Sequence, residues 1–532
     1  MQQSLTLLMA QINPTVGAIE ANAEKIIHII RTHQNTHDLI LFPELALTGY
    51  PPEDLLFRPE LFTRVERALE RIAATTQNCH VIVGHPQREN TLCFNAASIM
   101  NSGIQKAIYY KQRLPNYNVF DEARYFTQGE PTPCLLTIKG YQLGLCICED
   151  LWQPGPVEQL IAAGVDVMLC INASPFDYDK YANRESLAMM HAQQGMSVVY
   201  VNQTGGQDEL VFDGQSFVLD SDGKIRARAP AFTEHLQTVT FHGKKINSSI
   251  TPLLEKNALI YQALVCGLQD YVEKNAFPGV LIGLSGGIDS ALTMAIAVDA
   301  LGASRVHAVM MPSRYTANIS MSDAQQQLQT QGVPHSTLPI EPTFASFEAT
   351  LAPVFNGMAP DITEENLQAR IRGVLLMALS NKKGYMVLTT SNKSETAVGY
   401  STLYGDMCGG FSVLKDVLKT TVYALAHYRN SIGPTIPERV IMRAPTAELA
   451  LNQTDQDSLP DYATLDAIII HYMVDHLSVS EIVQRGYQQN DVNRVIKLII
   501  RNEYKRRQAA PGVKISMCAF GRDWRYPITS GF

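Results

Sequence analysis

No run of eighteen apolar residues occurs in the 532-residue chain, and no lysine or arginine precedes Lys25. Neither a membrane span nor a secretory signal is therefore expected, and the expected location is cytoplasmic. Cysteine is sparse and unpaired: nine residues, an odd number, scattered and without a Cys-x-x-Cys pair. That excludes a disulfide framework or a zinc site as the organising principle. Positive charge is in deficit, 43 Lys and Arg against 51 Asp and Glu, for a net charge of -8. A nucleic acid or an anionic membrane is a poor partner for such a surface, so the expected substrates are small molecules.

What is present is length, enough for two to four domains, and one loop that organises the second half. Val280 to Leu284 is apolar, Ser285-Gly286-Gly287-Ile288-Asp289-Ser290 follows, and Ala291 to Ala297 has a helical period. This predicts strand, tight turn and helix, with backbone N–H groups and a helix N-terminus directed at an anion such as phosphate. Asp289 suits an anion cradle only if it holds a metal that bridges to the phosphates. No lysine follows the second glycine, so the Gly-x-x-x-x-Gly-Lys loop is excluded. The stretch resembles the pyrophosphatase loop of the ATP-pyrophosphatase enzymes, which implies that Ser285, Gly286, Gly287, Ile288, Asp289 and Ser290 bind ATP.

The first half alternates short apolar runs with helical segments. Strands are expected over 5–10, 38–42, 80–84, 142–148, 165–171 and 197–202, and helices over 21–32, 60–75, 157–163 and 181–194, an α/β or layered arrangement. Three strand ends carry reactive side chains: Glu44 in Phe42-Pro43-Glu44, Lys111 in Tyr110-Lys111-Gln112, and Cys148 in Ile147-Cys148-Glu149-Asp150. By the two-residue period Cys146 and Cys148 share a strand face, with Cys148 at the end and exposed enough to react.

Glu44, Lys111 and Cys148 in this order resemble the Glu-Lys-Cys triad of the nitrilase superfamily. The likeness runs from residue 1 to about 245, through Asn172-Ala173-Ser174-Pro175-Phe176 and the 202–209 and 212–216 stretches. It implies a four-layer αββα sandwich. It also implies a glutamine amidohydrolase in which Cys148 is the nucleophile, Glu44 the base and Lys111 the oxyanion stabiliser, with glutamine contacts from Tyr117, Ser174 and Lys180. The apolar period weakens after Phe232, and a linker is expected over 246–260 between domains at 1–245 and 261–532.

In the second half, strands at 305–311, 335–340 and 385–390 alternate with helices at 322–331 and 363–381, giving a parallel sheet whose glycine turn lies at the carboxyl edge. Thr363 is expected to cap the last helix, and Leu367, Ile371, Leu375 and Leu379 to form its buried stripe. Asn366 and Arg370, four apart, match the Asn-x-x-x-Arg helix of NAD synthetases. That resemblance implies a Rossmann-like sheet with helices on both faces, similar to the adenine nucleotide alpha hydrolases. It places Thr390 at ATP, Asp289 and Glu395 on Mg2+, and Asn366, Arg370, Asp406, Lys419 and Lys514 at deamido-NAD, with Lys419 near phosphate. Segments 445–449 and 455–462 belong to the same likeness. The basic cluster at Arg501, Lys505, Arg506, Arg507 and Lys514 lacks interleaved aromatics, so nucleotide phosphate is a better expected contact than nucleic acid.

Together the halves resemble the glutamine-dependent NAD synthetases. The likeness implies that glutamine, ATP and deamido-NAD are substrates, that ammonia passes between two sites, and that the chain forms a homo-oligomer through its synthetase domain. Other readings are a stand-alone amidase with a nucleotide-sensing half, or another pyrophosphatase-loop amidotransferase.

Overall fold

Along Leu5–Gln11, Leu7 and Met9 enter one apolar core while Leu8 and Ala10 enter another. A strand buried on both faces requires a layer on each side, since successive side chains point in opposite directions. In this computed structural model, which describes residues 3–445, 448–450 and 459–531, the chain divides into two compact units, Met1–Leu254 and Glu255–Phe532.

The first unit stacks two sheets. One runs in the order Lys245–Asn247, His235–His242, Leu5–Gln11, Leu39–Leu41, His80–Glu89, Leu92–Asn101, Ile104–Tyr110. The other runs Ile225–Arg228, Phe217–Leu219, Ser197–Asn202, Val167–Asn172, Tyr141–Ile147, Cys134–Ile138. Residues of both sheets, among them Leu7, Ile82, Leu145 and Ile171, share the central core. Helices Ile19–His33 and Pro59–Thr75 cover the outer face of the first sheet, and Pro156–Ala162 and Lys180–Ala192 that of the second. The result is the αββα sandwich.

The second unit is built on five parallel strands in the order His335–Thr337, Val306–Met310, Val280–Gly283, Met386–Thr389, Phe411–Ser412. Strand order reverses about Val280–Gly283, and the crevice at such a reversal is where ligands bind in open α/β sheets. Helices Glu341–Phe355 and Ile362–Lys383 supply Phe344, Ile371 and Leu376 to the core on one face. Three further helices, Lys256–Lys274, Ile288–Leu301 and Lys419–Ile432, pack on one another, and Ile288–Leu301 also packs on the sheet. The C-terminal helices Tyr462–Met473, Val479–Gln484 and Gln489–Arg501 form a separate apolar cluster with Ala397 and Val398.

Several expectations are corrected. Ile246 and Asn247 of the expected linker pair in the first sheet, and Lys256 already opens a helix, so only 248–255 lies outside regular elements. The long helix is capped by Asp361, not Thr363: Asp361 Oδ1 accepts from Thr363 N at 2.7 Å, and Glu364 accepts from Asp361 N at 2.7 Å. This reciprocal pair starts the helix earlier than a lone threonine would. In the expected stripe Ile371 is fully buried, whereas Leu367, Leu375 and Leu379 pack at its margin and Leu376 fills the core. Thr446, Ala447 and residues 455–458, within two segments singled out above, lie outside the described residues.

Candidate active sites

In the first unit the three strand ends converge. Glu44 follows Leu39–Leu41 in a turn that the neighbouring strand must pass closely: a Cβ on Gly84 would lie 2.5 Å from Leu45 N and Pro43 O. Only glycine leaves that space. Both oxygens of the buried Glu44 carboxylate are held, Oε1 by Asn95 Nδ2 at 2.7 Å and Oε2 by Ala173 N at 2.9 Å. Lys111, 1 % exposed, donates to Glu44 Oε1 at 2.6 Å and to both oxygens of Glu122 at 2.9 and 3.0 Å. Tyr50 Oη donates to Glu122 at 2.8 Å.

Cys148 departs from the expectation. The strand ends at Ile147, and Cys148 takes the left-handed region with φ 44° in a short 3-10 turn, Cys148–Leu151. It therefore does not share a face with Cys146: Cys146 packs in the core under helices Pro156–Ala162 and Lys180–Ala192, and Cys148 in the core between the sheets. Nor is the thiol exposed, for the residue is only 6 % accessible. A non-glycine residue held at positive φ stores strain that its surroundings must over-determine.

The charges explain the chemistry available. Burial pushes the Cys148 thiol well above its usual range, Glu44 adds to this, and Lys111 opposes it. Burial also works against the Lys111 ammonium, but Glu122 and Glu44 outweigh it and hold it protonated well above the usual lysine range. Burial lifts Glu122 to about 7 against the pull of Lys111. A neutral thiol beside a carboxylate and a fixed cation is an arrangement for attack coupled to proton transfer.

Around Cys148, Tyr117 Oη donates to Glu149 Oε2 at 3.0 Å. Lys180 Nζ sits 4.6 Å from the Trp152 ring centroid, and burial, aided by Arg184, holds its ammonium below the usual lysine range. Ser174 accepts from Arg184 Nε at 3.1 Å, and Arg184 is buried in an ion pair with Asp213 at 2.7 Å. Glu122 and Glu149 were not singled out in the sequence. Glu149 could have been, as the neighbour of a reactive cysteine, but nothing in the spacing shows that Glu122 turns inward.

The second unit has a cavity of roughly 290 Å³ at the strand reversal, lined among others by Ser285, Asp289, Thr390, Glu395, Asp406 and Lys419. Gly286 has φ 81°, and a Cβ there would meet Ser320 O at 2.3 Å. Ser285 Oγ accepts from Gly287 N at 3.1 Å and lies 3.0 Å from Ser290 Oγ, which fixes the turn that opens Ile288–Leu301. Asp289 and Glu395, expected at a metal, both reach one point. A buried ammonium stands there: Lys419 Nζ is 2.5 Å from Asp289 Oδ2 and 3.2 Å from Glu395 Oε1. Burial disfavours its charge, but the two carboxylates outweigh that and hold it protonated well above the usual range.

Not every expected ligand residue reaches this cavity. Asn366 accepts from Thr402 Oγ1 at 2.7 Å and Arg370 donates to Leu403 O at 3.2 Å, so one holds a side chain and the other a carbonyl of the 402–403 segment. The helix face toward the cavity carries Ala369, Arg372 and Gly373 instead. Burial brings the Arg372 guanidinium down to about 10, and it donates to Met311 O at 3.0 Å. Lys514 is spent on Asp523 at 2.5 Å and on two carbonyls. Within the basic cluster Lys505 binds the carbonyls of Gly399 and Ser401, and Arg506 and Arg507 pair with Glu503. Lys505 also opposes the burial that lifts Asp406, one of the residues lining the cavity.

A carbon–nitrogen hydrolase and a nucleotide-type synthase are thus joined in one chain: residues 7–248 match the carbon–nitrogen hydrolase family and residues 260–509 the NAD synthase family. The glutamine-dependent NAD(+) synthetase of Xanthomonas campestris pv. campestris is 49% identical over 99% of this chain and 98% of its own length. That of Aquifex aeolicus is 44% identical over 99% of this chain and 100% of its own. The solved structure of the Acinetobacter baumannii enzyme of that name, in complex with ADP, is 46% identical, with a TM-score of 0.81 over 99% of this chain and 98% of its own. The chain belongs to the glutamine-dependent NAD(+) synthetase family, enzymes of the ligase type. Among the described residues no helix is long and apolar enough to cross a membrane.

Proposed function

We propose that the first unit hydrolyses glutamine at Cys148 and that the second uses ATP to adenylate the nicotinate carboxylate of deamido-NAD, the released ammonia converting the acyl-adenylate to NAD and AMP. The observation that carries the first half is the buried Lys111 ammonium 2.6 Å from Glu44 in the pocket of Cys148. Sγ attacks the carboxamide carbon while the thiol proton passes to Glu44, and the oxyanion that forms is met by Lys111. Glu44 returns the proton to the nitrogen, the C–N bond breaks and ammonia leaves. Water, deprotonated by Glu44, then attacks the thioester carbon, the C–S bond breaks, and the proton on Glu44 passes to the departing Cys148 sulfur as glutamate is released. Tyr117, Ser174 and Lys180 are read as glutamine contacts, with Lys180 toward the α-carboxylate and Glu149 toward the α-ammonium.

In the second unit the Ser285 to Ser290 loop is read as the seat of the ATP phosphates, and Thr390 and Asp406 as ligand contacts. Asp289 and Glu395 suit a divalent cation, because in their present arrangement they already share one positive charge. Mg2+ held there would neutralise charge on the departing pyrophosphate. Lys419 is then freed for phosphate. Ammonia is mostly protonated in neutral water and the acyl-adenylate is open to hydrolysis, so direct transfer between the sites serves both.

Self-association through the second unit is consistent with the exposed apolar residues Val354, Met358, Ile362 and Val374. Light scattering would show a mass above the monomer. The test of the whole reading is Cys148→Ala: glutamine-driven NAD formation should vanish while ammonium-driven formation persists. Loss of both, or retention of both, overturns the division of labour.

A further inference from the structure

We propose that Asp150 is a positioning residue that sets Cys148 against Lys111; the inference rests on the reading of those two residues given above. Asp150 is fully buried two residues after the nucleophile. Its Oδ2 accepts from Ile147 N at 3.0 Å and from Tyr109 Oη at 2.8 Å. Its Oδ1 accepts from Gln112 N at 3.0 Å and Arg113 N at 2.8 Å. One carboxylate therefore grips the backbone N–H of the residue before Cys148, the two backbone N–H groups that follow Lys111, and the Tyr109 hydroxyl from the strand that leads to Lys111.

The chemistry of the group matters. Gln112 and Arg113 lie past the end of Ile104–Tyr110, where no strand ladder takes up their N–H groups, and buried N–H groups demand acceptors. A carboxylate accepts on both oxygens. An amide would turn one of them into a donor facing two donors. The bond to Ile147 N also closes the turn in which Cys148 is held at φ 44°. Asp150 thus fixes two things at once, the strained aim of the thiol and its separation from the cation that must meet the oxyanion.

The test measures glutamine-driven and ammonium-driven NAD formation in the full-length enzyme. A displacement of about 1 Å in such a site costs about 100-fold, so Asp150→Asn should lower the glutamine-driven kcat by about that factor. The KM for glutamine should move less than about threefold and the ammonium-driven kcat stay within about twofold, while alkylation of Cys148 by iodoacetamide, followed by mass spectrometry, slows. Tyr109→Phe removes one bond of four with little change in shape and should lower the glutamine-driven kcat about three- to tenfold. Full glutamine-driven kcat in both variants overturns the proposal. So does an equal fall of both reactions in Tyr109→Phe, the mark of a merely structural role. Cys148→Ala separates the two levels: if it keeps glutamine-driven activity, the catalytic reading itself fails; if it loses that activity and the other two variants do not, only the brace fails.

Discussion

Lys419 Nζ lies 2.5 Å from Asp289 Oδ2, with Glu395 Oε1 at 3.2 Å and Asn392 Nδ2 donating to the other Asp289 oxygen at 2.9 Å. The two carboxylates that suit a divalent cation are thus satisfied by an internal one. A metal entering without nucleotide must displace a buried, paired ammonium, whereas a metal entering with ATP gives that ammonium phosphate to bind. The nucleotide-free enzyme should therefore take up divalent cation poorly. Lys419→Met should bind Mn2+ without nucleotide at least about tenfold more tightly, since removing 1.4 kcal/mol of competition already gives that factor. Electron paramagnetic resonance titration of free Mn2+ reads this directly, and equal affinities in both proteins would refute it. The same variant should lose about 100-fold in ammonium-driven kcat if, as proposed, Lys419 passes from the two carboxylates to the ATP phosphates.

Gly286 makes a sharper demand on one atom. Alanine there needs a left-handed backbone and places its Cβ 2.3 Å from Ser320 O. Relief requires the loop to shift, so Gly286→Ala should raise the KM for ATP by about tenfold or more and destabilise the second unit by about 1–3 kcal/mol. Ammonium-driven kinetics and thermal unfolding measure the two effects. Gly302, whose Cβ would meet nothing within 4 Å, is the control for φ strain alone.

Gly286 was legible in the sequence, and so were the strand ends at Glu44, Lys111 and Cys148, because short apolar runs closed by special residues leave a local trace. What stayed hidden is non-local. Glu122 acts through a contact with Lys111 that depends on a chain reversal no period announces. The left-handed turn at Cys148 hid as well: alternation carries past the last strand residue unless something stops it, and here the stop is the Asp150 bond to Ile147 N. The strand before Lys111 was read only from its end, since the exposed polar Gln105 and Lys106 dilute the apolar signal over Ile104–Tyr110. Arg370 and Lys514 are likewise held by contacts that no spacing announces, Arg370 donating to Leu403 O and Lys514 pairing with Asp523.

Arg184 and Asp213 form an ion pair with 1% and 0% side-chain exposure, and Arg184 also donates to the carbonyls of Ser174 and Pro175 at 2.8 Å. Breaking such a pair from one side strands the other charge, so Asp213→Ala should cost about 3–5 kcal/mol in the first unit. Because the guanidinium carries the Ser174 loop, the KM for glutamine should rise while ammonium-driven synthesis is spared. Differential scanning calorimetry would show a low-temperature transition separating from the rest.

Glu122 gives the pH dependence. With its carboxyl lifted to about 7 mainly by burial, it is neutral below that pH and leaves Lys111 paired with Glu44 alone, which ties down the base. Above it the ionised Glu122 shares the ammonium, so glutamine-driven kcat/KM should rise through pH 7. Glu122→Gln should lower the activity and abolish that inflection, leaving the ammonium-driven profile as it was. Stability runs the other way. The folded state holds the proton more tightly than the unfolded chain, whose carboxyl titrates at about 4.3, so between those values the native state binds more protons and stability falls as pH rises. The favourable contribution is complete below the unfolded value and lost on passing 7. Relative to Glu122→Gln, which has no such proton, the wild-type Tm should drop between pH 5 and 8, and a constant difference across that range would contradict the assignment.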